Sequence, residues 1–505
     1  MGGVKAMSSW LQERIQGGYL LPAALGLTVL YVVVQCIYHL YISPLRKFPG
    51  PKIAAVSRLP QSFHALRGDM VTWIQGLHDT YGDVVRIGPD ELSYTSSEAW
   101  KTIYGHAVGG MKTMEKDQRF LGPPFFSAPD IIRAPGADHS RFRRNFSHAF
   151  SERALREQEP LIRHYVDMLV AKLGQDAREK PDGAVELVHL YNYTTFDIMG
   201  DLTFGEPLDL LKETGKNTAW VATVFTGIKA SALRRVTRYY PVLGSIFNAF
   251  IPASMTAGQK AHIANCVQRV DTRVEKQTDR PDIWGLIMNQ KEELRLSREE
   301  MYANSSISMV AGTETTATAL SGLTYQLLLH PEKMERITRE VRETFEKDSD
   351  INITTLGQMK YLNACIEEGL RFYPPVPIGL PRVVPPGGQM VCGEYVPEKT
   401  IVSVNQWSAY RSPRNFNRPN EFLPERWMND PEFASDDKAA LQPFSFGPRN
   451  CLGRNLAYFE MRIILAKVLY NFDLTLRPES VGWDKQKTFL LWEKKKLMVQ
   501  LKRRD

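Results

Sequence analysis

Residues 444–453 read Phe-Ser-Phe-Gly-Pro-Arg-Asn-Cys-Leu-Gly, and this stretch decides how the rest of the chain is interpreted. It surrounds Cys451 with aromatic residues, two glycines and an arginine, in a chain that has only 5 cysteines among 505 residues. Glycines on both sides of the cysteine allow a tight turn in which backbone N–H groups can point at the sulfur. A single cysteine is ordinarily a small buried apolar residue, but these neighbours favour a cysteine that acts as a ligand.

The composition describes an ordinary globular protein with a large core, since 43% of the residues are hydrophobic and 24% are charged. The net charge of +7, from 63 Lys and Arg against 56 Asp and Glu, is spread along the chain rather than gathered in a basic tail. This distribution fits a membrane surface or an acidic partner, and we expect no nucleic-acid partner. The cysteines form no C-x-x-C pair, so the sequence predicts neither a zinc site nor a disulfide framework.

A mostly apolar run at residues 19–42 predicts a transmembrane anchor. As a helix it would span roughly 36 Å, enough to cross a hydrocarbon core of about 30 Å. Tyr19, Tyr38 and Tyr41 lie near its ends, where aromatic rings prefer the membrane interface. A cleaved signal peptide is the competing interpretation, but the run is too long and no clear small-x-small cleavage site follows it.

A basic, proline-rich linker at residues 43–52 follows the apolar run. Because positively charged flanks stay on the cytosolic side, we expect residues 1–18 to form a short lumenal tail and residues 53–505 to lie in the cytosol. The basic residues Lys5 and Arg14 weaken this asymmetry. The linker is predicted to be stiff and extended. No further linker follows it, which predicts one large domain.

Helical patterns dominate from about residue 140 onward, so we expect a mainly α body with small β-sheets. Residues 84–88 predict a short strand that turns at Gly88-Pro89. Ser297 and Glu300 predict a capping box that opens a helix of roughly 32 residues, which ends before Pro331.

Two patterns in the helical body are candidates for function. The hexapeptide at residues 311–316, Ala-Gly-Thr-Glu-Thr-Thr, carries a glycine inside the long helix, which costs about 1 kcal/mol relative to alanine and so suggests a compensating role. A solvated helix face is the alternative. Glu368 and Arg371 lie one turn apart on a predicted helix, although such pairs are often surface salt bridges worth a few tenths of a kcal/mol.

These motifs resemble those of the cytochromes P450 and stand in the same order along the whole chain. They are the N-terminal apolar run, the basic segment 139–143, the hexapeptide 311–316, the pair at 368 and 371, the segment Phe422–Trp427 and the cysteine loop. The chain is similar to eukaryotic microsomal members, and its sequences at residues 139–151 and 196–204 are similar to those of filamentous-fungal members that act in secondary metabolism. The resemblance implies the cytochrome P450 fold in a single haem-binding domain.

The resemblance implies a haem b whose iron is bound by the Cys451 thiolate. Arg143, Arg382 and Arg449 are expected to neutralise the two haem propionates, because unpaired buried charges are expensive. His139 stands where a tryptophan is more usual and is a further candidate propionate donor. The other residues expected at the haem are Phe444 beside the ring, the loop glycines Gly447 and Gly453, and the pair Ala311 and Gly312, which lets the long helix pass close over the haem.

Thr315 and Glu314 are the catalytic residues that the resemblance implies. The Thr315 hydroxyl would hold a water and donate hydrogen bonds to dioxygen, and Glu314 would relay protons from solvent. Glu368, Arg371 and Arg426 are expected to form a structural triad that locks the segment before the cysteine loop.

The implied reaction inserts one atom of dioxygen into a hydrophobic small molecule, by hydroxylation or epoxidation. Electrons from NADPH would arrive through NADPH-cytochrome P450 reductase, with cytochrome b5 as a second candidate partner. Arg144, Arg454 and Arg462 are candidates for a basic patch that faces the reductase. The implied location is the endoplasmic reticulum membrane, as a single-pass protein with a cytosolic catalytic domain in contact with membrane lipid.

Candidate substrate contacts come from the segments 105–140, 303–311, 376–380 and 489–492. Their apolar candidates are Phe125, Phe126, Ile307, Val376, Ile378, Leu380 and Leu490. Plain core packing is the alternative for each of them. The segment 221–251, rich in aromatic and basic residues, suits contact with a lipid monolayer.

Three alternative functions remain open from the sequence. An O₂-independent isomerase or dehydratase of the same fold often lacks the acid–threonine pair, which is present here. Desaturation or ring coupling cannot be separated from hydroxylation by sequence. A non-catalytic haem sensor or electron carrier would have no use for a proton-delivery helix.

Overall fold

The computed structural model describes residues 20–107, 109–179, 182–212, 217–242, 244–245, 253–276, 280, 282–288 and 295–504. The predicted lumenal tail at residues 1–18 and the first anchor residue, Tyr19, lie outside these ranges. Residues 243 and 246–251 of the segment predicted to contact lipid also lie outside them.

Helices make up most of the described chain, as the sequence predicts. In chain order they are α1 (Leu20–Ile37), α2 (Lys52–Val56), α3 (Leu59–Arg67), α4 (Met70–Tyr81), α5 (Ser97–Tyr104), α6 (Gln118–Leu121), α7 (Gly136–Ala149), α8 (Glu152–Glu179), α9 (Leu187–Phe204), α10 (Thr218–Arg238), α11 (Ala253–Glu275), α12 (Ile283–Met288), α13 (Arg298–Leu329), α14 (Pro331–Thr344), α15 (Ile353–Gln358), α16 (Lys360–Phe372), α17 (Gln406–Arg411) and α18 (Arg454–Asn471).

The strands are short and form small sheets. They are β1 (Val84–Gly88), β2 (Glu91–Tyr94), β3 (Glu115–Lys116), β4 (Ala184–Glu186), β5 (Arg382–Val383), β6 (Gln389–Val391), β7 (Glu394–Val396), β8 (Ile401–Val404), β9 (Phe472–Leu476) and β10 (Met498–Arg503). The strand orders are β1-β2-β8-β5-β3, β4-β10-β9 and β6-β7. Strands β2 and β8 run parallel, and the first sheet brings β3 beside β5 although they are far apart in sequence.

Helix α13 occupies the centre of the domain. It begins with the predicted capping box, in which the Ser297 hydroxyl accepts from the Glu300 N–H and the Glu300 carboxylate accepts from the Ser297 N–H. It runs for 32 residues and ends at Leu329, before the proline that opens α14. Helices α9, α11, α16 and α18 pack against it. Most of its side chains are therefore buried, and a site on this helix must lie on the part of its surface that these neighbours leave open.

The N-terminal apolar run forms helix α1, which continues as a π-helical turn at Tyr38–Ile42. Within the described residues, the stretch Leu21–Ile42 is long and apolar enough to cross a membrane, and none of it is buried against the rest of the protein. By length and composition it fits the predicted membrane anchor.

The linker at residues 43–52 is only partly the extended spacer that its prolines predict. Residues Pro44–Lys47 form a 3₁₀ turn, and Lys52 already begins α2. Leu45 and Phe48 are buried in the core that also contains β2 and β8. The linker is therefore packed onto the domain, because two of its side chains are large and apolar and gain free energy by leaving water.

Candidate active site

Cys451 lies between a 3₁₀ turn at Gly447–Arg449 and the start of α18. Its backbone N–H donates to the Phe444 carbonyl at 2.8 Å, which closes the loop. The thiol lies deep in the protein but faces an internal cavity. Burial raises the pKa of the Cys451 thiol, whereas the Gly453 N–H and the nearby Arg143 and Arg454 favour the thiolate. The predicted N–H group directed at the sulfur is therefore present, and it favours the thiolate form that an iron ligand needs, against the effect of burial.

The two loop glycines have different roles. Gly447 has φ +73°, and a Cβ there would lie 2.0 Å from the carbonyl oxygen of Tyr104 at the end of α5. Gly447 is therefore required both by its left-handed backbone and by the close approach of the loop to α5. Gly453 has φ −83°, and the nearest protein atom to its Cβ would be 4.0 Å away, so no neighbouring protein atom requires a glycine there. Its N–H group favours the Cys451 thiolate, and because Gly453 borders the cavity, its expected place beside the haem stays a prediction.

Cys451 and the hexapeptide on α13 line the same cavity, which has a volume of about 370 Å³. Ala311, Gly312 and Thr315 face it from the helix. The Thr315 hydroxyl donates to the Ala311 carbonyl at 2.7 Å and also borders the cavity. The structure thus brings together Cys451 and Thr315, which are separated by more than a quarter of the chain.

Gly312 also serves packing between helices. A Cβ at this position would lie 2.8 Å from the sulfur of Met199 on α9. The sequence predicts that Gly312 allows close approach to the haem. In the structure, Gly312 also allows close approach of a second helix, α9, which was not predicted. Met199 borders the same cavity, so the glycine lets α9 complete this part of the wall.

Glu314 does not line the cavity. It is buried on another face of α13, where it forms an ion pair with Lys494 from the C-terminal segment. Lys494 also donates to the Thr318 hydroxyl at 2.7 Å. Burial raises the pKa of Glu314 and lowers that of Lys494, and each charge offsets part of the shift of the other. Of the two predicted catalytic residues, only Thr315 therefore faces the cavity, and a proton relay through Glu314 stays a prediction.

One wall of the cavity carries the predicted basic residues. His139, Arg143, Arg382 and Arg449 all border it. Arg382, on β5, is buried, and its Nε and Nη1 groups have no hydrogen-bond partner among the described residues. Burial and, less strongly, the neighbouring Arg449 lower the pKa of Arg382 to about 10. A buried cation with unmatched donors calls for an anion at this wall.

The other predicted arginines already have protein partners. Arg143 donates from both terminal nitrogens to Asn450, at its backbone carbonyl and its side chain. Arg449 forms an ion pair with Glu115 at 3.0 Å and donates to the Ala134 carbonyl at 3.0 Å. Both therefore also hold the cysteine loop in position, while their role at a propionate stays a prediction.

His139 contributes as a neutral group. Burial, followed by the positive charges of Arg449, Lys116, Arg143 and Arg382, lowers its pKa to about 4. Near neutral pH its imidazole is uncharged and has one N–H to donate. His139 is therefore suited to a single hydrogen bond rather than to charge neutralisation.

Lys116 is a fifth basic group at this wall, and the sequence analysis missed it. It lies on β3, beside Arg382 on β5, and its Nζ donates to the Ile132 carbonyl at 2.9 Å. Burial, then Arg382 and Arg449, lower its pKa to about 7. A single lysine is not recognisable in the sequence as a site residue. Only the pairing of β3 with β5 brings Lys116 to the cavity.

The residues around the cavity fit a haem. A thiol with an N–H group at its sulfur occupies one side, and unmatched cationic donors occupy the wall where two carboxylates would lie. Burial and, after it, repulsion among the basic groups lower the pKa values of Arg382 and Lys116, and two propionates would offset both effects. Phe444, beside the Tyr458 ring at 5.1 Å between centroids, completes the apolar border.

The predicted triad is assembled and fully buried. Arg371 donates to both Glu368 oxygens, at 2.8 and 2.7 Å, and Arg426 Nε lies 3.3 Å from Glu368 Oε2. Two further members were not predicted: the Trp427 indole N–H donates to Glu368 at 3.0 Å, and Asp436 pairs with Arg426. All the charges in this cluster have partners, so it holds the segment before the cysteine loop without leaving a charge uncompensated.

Three of the seven apolar residues predicted to contact the substrate line the cavity, and their contact with a substrate stays a prediction. Ile307, Val376 and Leu380 line the cavity. The residues that do not line it are Phe125, Phe126, Ile378 and Leu490. Phe125 is exposed beside Arg133, and Ile378 is packed into the core. The lining also includes apolar residues that were not individually predicted, among them Phe120, Leu121, Ile131 and Ile132, and the acid Glu460.

Comparison with known proteins agrees with this geometry. The Cytochrome P450 family model matches residues 49–501. Cytochrome P450 monooxygenase efuB of Hormonema carpetanum is 47% identical over 475 residues, which cover 93% of this chain and 94% of the relative. Cytochrome P450 monooxygenase astA of Talaromyces wortmannii is 44% identical over 480 residues, covering 95% and 96%.

A third relative carries a more specific name. The averantin hydroxylase of Dothistroma septosporum is 40% identical over 496 residues, which cover 97% of this chain and 93% of the relative. The cysteine loop, the basic residues that border the cavity and the family match all agree. The chain belongs to the cytochrome P450 family and is a monooxygenase that binds haem b through a cysteine thiolate.

Proposed function

We propose that this protein hydroxylates or epoxidises a hydrophobic small molecule in a fungal secondary-metabolite pathway. The observation that carries the proposal is the shared cavity of Cys451 and Thr315, whose remaining wall includes Phe120, Ile307 and Val376. An apolar wall favours an apolar substrate and excludes water from the reacting carbon. The relatives are fungal monooxygenases, and the one named a hydroxylase favours hydroxylation over ring coupling.

The chain's own groups prepare the site for this reaction. When bound, haem would supply the activation of dioxygen, and the Cys451 thiolate would hold its iron. Arg382, Lys116 and the imidazole of His139 would hold the propionates together with Arg143 and Arg449, which border the same cavity. The apolar wall orients the substrate. The hydroxyl of Thr315, whose single O–H is donated to the Ala311 carbonyl, accepts a hydrogen bond from a water at the cavity surface and so holds that water where protons are needed.

Glu314 takes part in proton delivery only after its ion pair with Lys494 opens. In the structure the carboxylate is held away from the cavity by Lys494. Because Glu314 is a carboxylate in the ion pair, it must first take up a proton, from Lys494 or from water, and a rotation of the protonated side chain would then carry that proton towards Thr315, its neighbour on α13. We therefore infer that Lys494 controls when Glu314 supplies protons.

The N-terminal helix anchors the protein in the endoplasmic reticulum membrane, with residues 53–505 as one cytosolic domain. Exposed apolar side chains continue from the anchor onto α2 and α3, at Ile53, Leu59 and Phe63. Such a surface suits contact with lipid, and it lies on the elements that immediately follow the linker.

The electron donor in this proposal is NADPH-cytochrome P450 reductase, with cytochrome b5 as a second donor. Arg144 and Arg454 are exposed on the cysteine-loop side of the domain. Arg462 is less available, because it is half-buried and donates to Asn363 at 2.7 Å. Arg144 and Arg454 therefore form the basic surface for an acidic reductase.

The test combines a spectrum with a metabolite comparison. Cys451→Ala should abolish the thiolate-type shift of the reduced protein with carbon monoxide, whereas Cys392→Ala, a half-buried cysteine between β6 and β7, should keep it. Deletion of the gene in the producing organism should accumulate a precursor one oxygen atom lighter than the lost product. A retained shift in Cys451→Ala would refute the ligand assignment. A precursor of equal mass, or one that differs by two hydrogens, would contradict oxygen insertion.

A further inference from the structure

The face of α13 that borders the cavity carries a second hydroxyl group in line with that of Thr315. The bordering residues of this helix are at positions 307, 308, 311, 312, 315, 316 and 319. Ser308 and Thr315 are seven residues apart, so they point in nearly the same direction and lie about 10 Å apart along the helix. Between them the face carries only Ala311 and Gly312. Space therefore remains along the helix from one hydroxyl to the other.

The Ser308 hydroxyl differs from several other hydroxyls of this helix. Thr313, Thr315 and Ser321 each donate to the backbone carbonyl four residues earlier, at 2.6, 2.7 and 2.7 Å. Serine and threonine commonly satisfy their hydroxyl in this way inside a helix. Ser308 makes no such bond, and its hydroxyl has no partner among the described residues. Ser308 is only half-buried and borders the cavity, so its O–H and its acceptor sites are open to a molecule bound there.

Apolar side chains lie close to Ser308 on the cavity wall. Ile307 precedes it on the helix and also lines the cavity. The backbone N–H of Ile131 donates to the Asn304 side chain at 2.9 Å, one turn before Ser308, and both Ile131 and Ile132 border the cavity. A hydroxyl without a partner among apolar groups costs free energy, and a matching polar group on a bound molecule recovers that cost.

We propose that Ser308 binds an oxygen atom of the substrate, in a hydroxyl or carbonyl group on an otherwise apolar molecule. The inference rests on the proposed monooxygenase function and narrows its substrate class. Thr315 marks the region where oxygen is inserted, so the bound oxygen and the oxidised carbon are about 10 Å apart, the separation of the two hydroxyls along α13. The scaffold between them lies over Ala311 and Gly312. Ser308 is thus a specificity-determining residue, because it selects which carbon of the substrate lies near Thr315.

Imidazoles that carry a chain test this separation without knowledge of the substrate. An imidazole nitrogen binds the haem iron and shifts the Soret band, while a chain on the other nitrogen extends into the cavity. The probes are 1-(ω-hydroxyalkyl)imidazoles and the matching 1-alkylimidazoles, with chains of about four to about ten carbon atoms, which bracket the expected distance of about 10 Å. Absorbance titration of the holoenzyme gives the affinity of each probe. At the chain lengths that reach Ser308, the affinity of the hydroxyl probe relative to the methyl probe should fall about 2- to 10-fold in Ser308→Ala, the effect of one hydrogen bond.

Ser321→Ala is the matched control for this comparison. Ser321 lies on the same helix but donates to the Ala317 carbonyl and does not line the cavity, so the variant should match the wild type at every chain length. Alanine is a good helix former, so both variants should fold, and an unchanged carbon monoxide spectrum checks that the haem and Cys451 are intact. Equal affinity ratios in the wild type and Ser308→Ala at every chain length would overturn the proposal, because the hydroxyl would then face only water.

The precursor that accumulates in the gene-deletion strain tests the substrate class itself. It should carry a hydroxyl or carbonyl oxygen about 10 Å from the carbon that becomes oxidised. A precursor one oxygen atom lighter than the product, but without an oxygen at that distance, would overturn the role of Ser308 and leave oxygen insertion intact. A precursor of equal mass would instead contradict the proposed function, and the probe affinities would still decide whether Ser308 binds an oxygen.

Discussion

Neighbouring residues of α13 meet very different surroundings. Thr315 borders the cavity, Glu314 is paired with Lys494 in the interior, and Thr313 is buried and donates to the Met309 carbonyl at 2.6 Å. This follows from helix geometry, since each residue is rotated by about 100° from the one before it. Function at this scale therefore depends on the direction of each side chain rather than on its presence in the hexapeptide.

Thr315→Ala should raise the peroxide released per NADPH, because a water at the cavity surface loses its hydroxyl partner. We expect the fraction of electrons lost as peroxide to rise about 2- to 10-fold, as for loss of one hydrogen bond. Peroxide and NADPH are measured together in reconstituted membranes. Thr313→Ala, on the same helix but buried away from the cavity, is the control and should remain coupled. Unchanged coupling in Thr315→Ala would remove Thr315 from proton delivery.

Lys494→Met should destabilise the protein by about 3–5 kcal/mol, because it leaves Glu314 as a buried charge without a partner. Glu314 then has a pKa raised further above its unfolded value, since burial raises it and the offsetting cation is gone. An acid with a raised folded pKa binds its proton more readily in the folded state, so stability falls as pH rises through the window between the two values. The deficit should therefore be smaller at about pH 5 than at about pH 8.

The control for Lys494→Met is the double variant Glu314→Gln with Lys494→Met, which removes both charges. It should recover most of the lost stability, measured by denaturant or thermal unfolding of the holoenzyme. A pH-independent deficit, or no recovery in the double variant, would contradict the ion-pair interpretation.

The cysteine loop shows what a single element requires from its neighbours. Its conformation depends on the approach of Gly447 to the end of α5, on the hydrogen bonds from Arg143 to Asn450, and on the Glu368 cluster that holds the preceding segment. None of these contacts lies within the loop itself. The loop is therefore a rigid ligand carrier only when α5, α7 and α16 are in place.

Gly447→Ala should prevent the loop from seating against α5, because its Cβ would lie 2.0 Å from the Tyr104 carbonyl oxygen and its backbone is left-handed. We expect loss of most bound haem, measured from the Soret absorbance per protein. Gly453→Ala is the matched control in the same loop: its Cβ would meet no protein atom closer than 4.0 Å, so the loop should still seat against α5 and the variant should keep more haem than Gly447→Ala. Equal haem content in the two variants would refute the structural distinction between the glycines.

At the scale of the whole molecule, the anchor and the domain are joined by a linker that belongs to the domain. Leu45 and Phe48 are only 4% and 6% exposed, and Arg86 on β1 donates to the His39 carbonyl at 2.9 Å. The linker is thus held to the domain by packing as well as by the stiffness of its prolines. The exposed apolar residues of α2 and α3 lie on the elements that follow this packed linker.

Truncation tests this boundary. Removal of residues 1–43 should leave a folded domain that is soluble or loosely membrane-bound. Removal of residues 1–52 should also lower the free energy of unfolding by about 3–6 kcal/mol, because Leu45 and Phe48 are lost from the core. Alkaline extraction of membranes measures attachment, and thermal unfolding measures stability. Undiminished integral membrane association after the shorter deletion would contradict a single anchor. Equal stability of the two truncated proteins would contradict a packed linker.

Local features were predictable from the sequence because their causes are local. The capping box at Ser297, the strand at residues 84–88 and the end of α13 before Pro331 each depend on neighbouring residues, and the structure confirms them. The triad of Glu368, Arg371 and Arg426 was also correct, although it came from the family resemblance. Trp427 and Asp436, which complete this cluster, were not predicted. The partners of a buried charge are the groups that lie near it in the folded protein, and these need not be near it in the sequence.

The family and the mainly helical plan of this protein could be recognised from residue types at short, fixed spacings, and Cys451 as the haem ligand is the prediction that comes with the family. Which side chains share the cavity depends on the folding of distant elements against one another. The tertiary structure brought Lys116 beside Arg382 through strand pairing, turned Glu314 towards Lys494, and left Glu460 buried at the cavity wall. The physical reason is that charge and burial act through space, so the state of a polar group depends on elements that lie far from it in the chain.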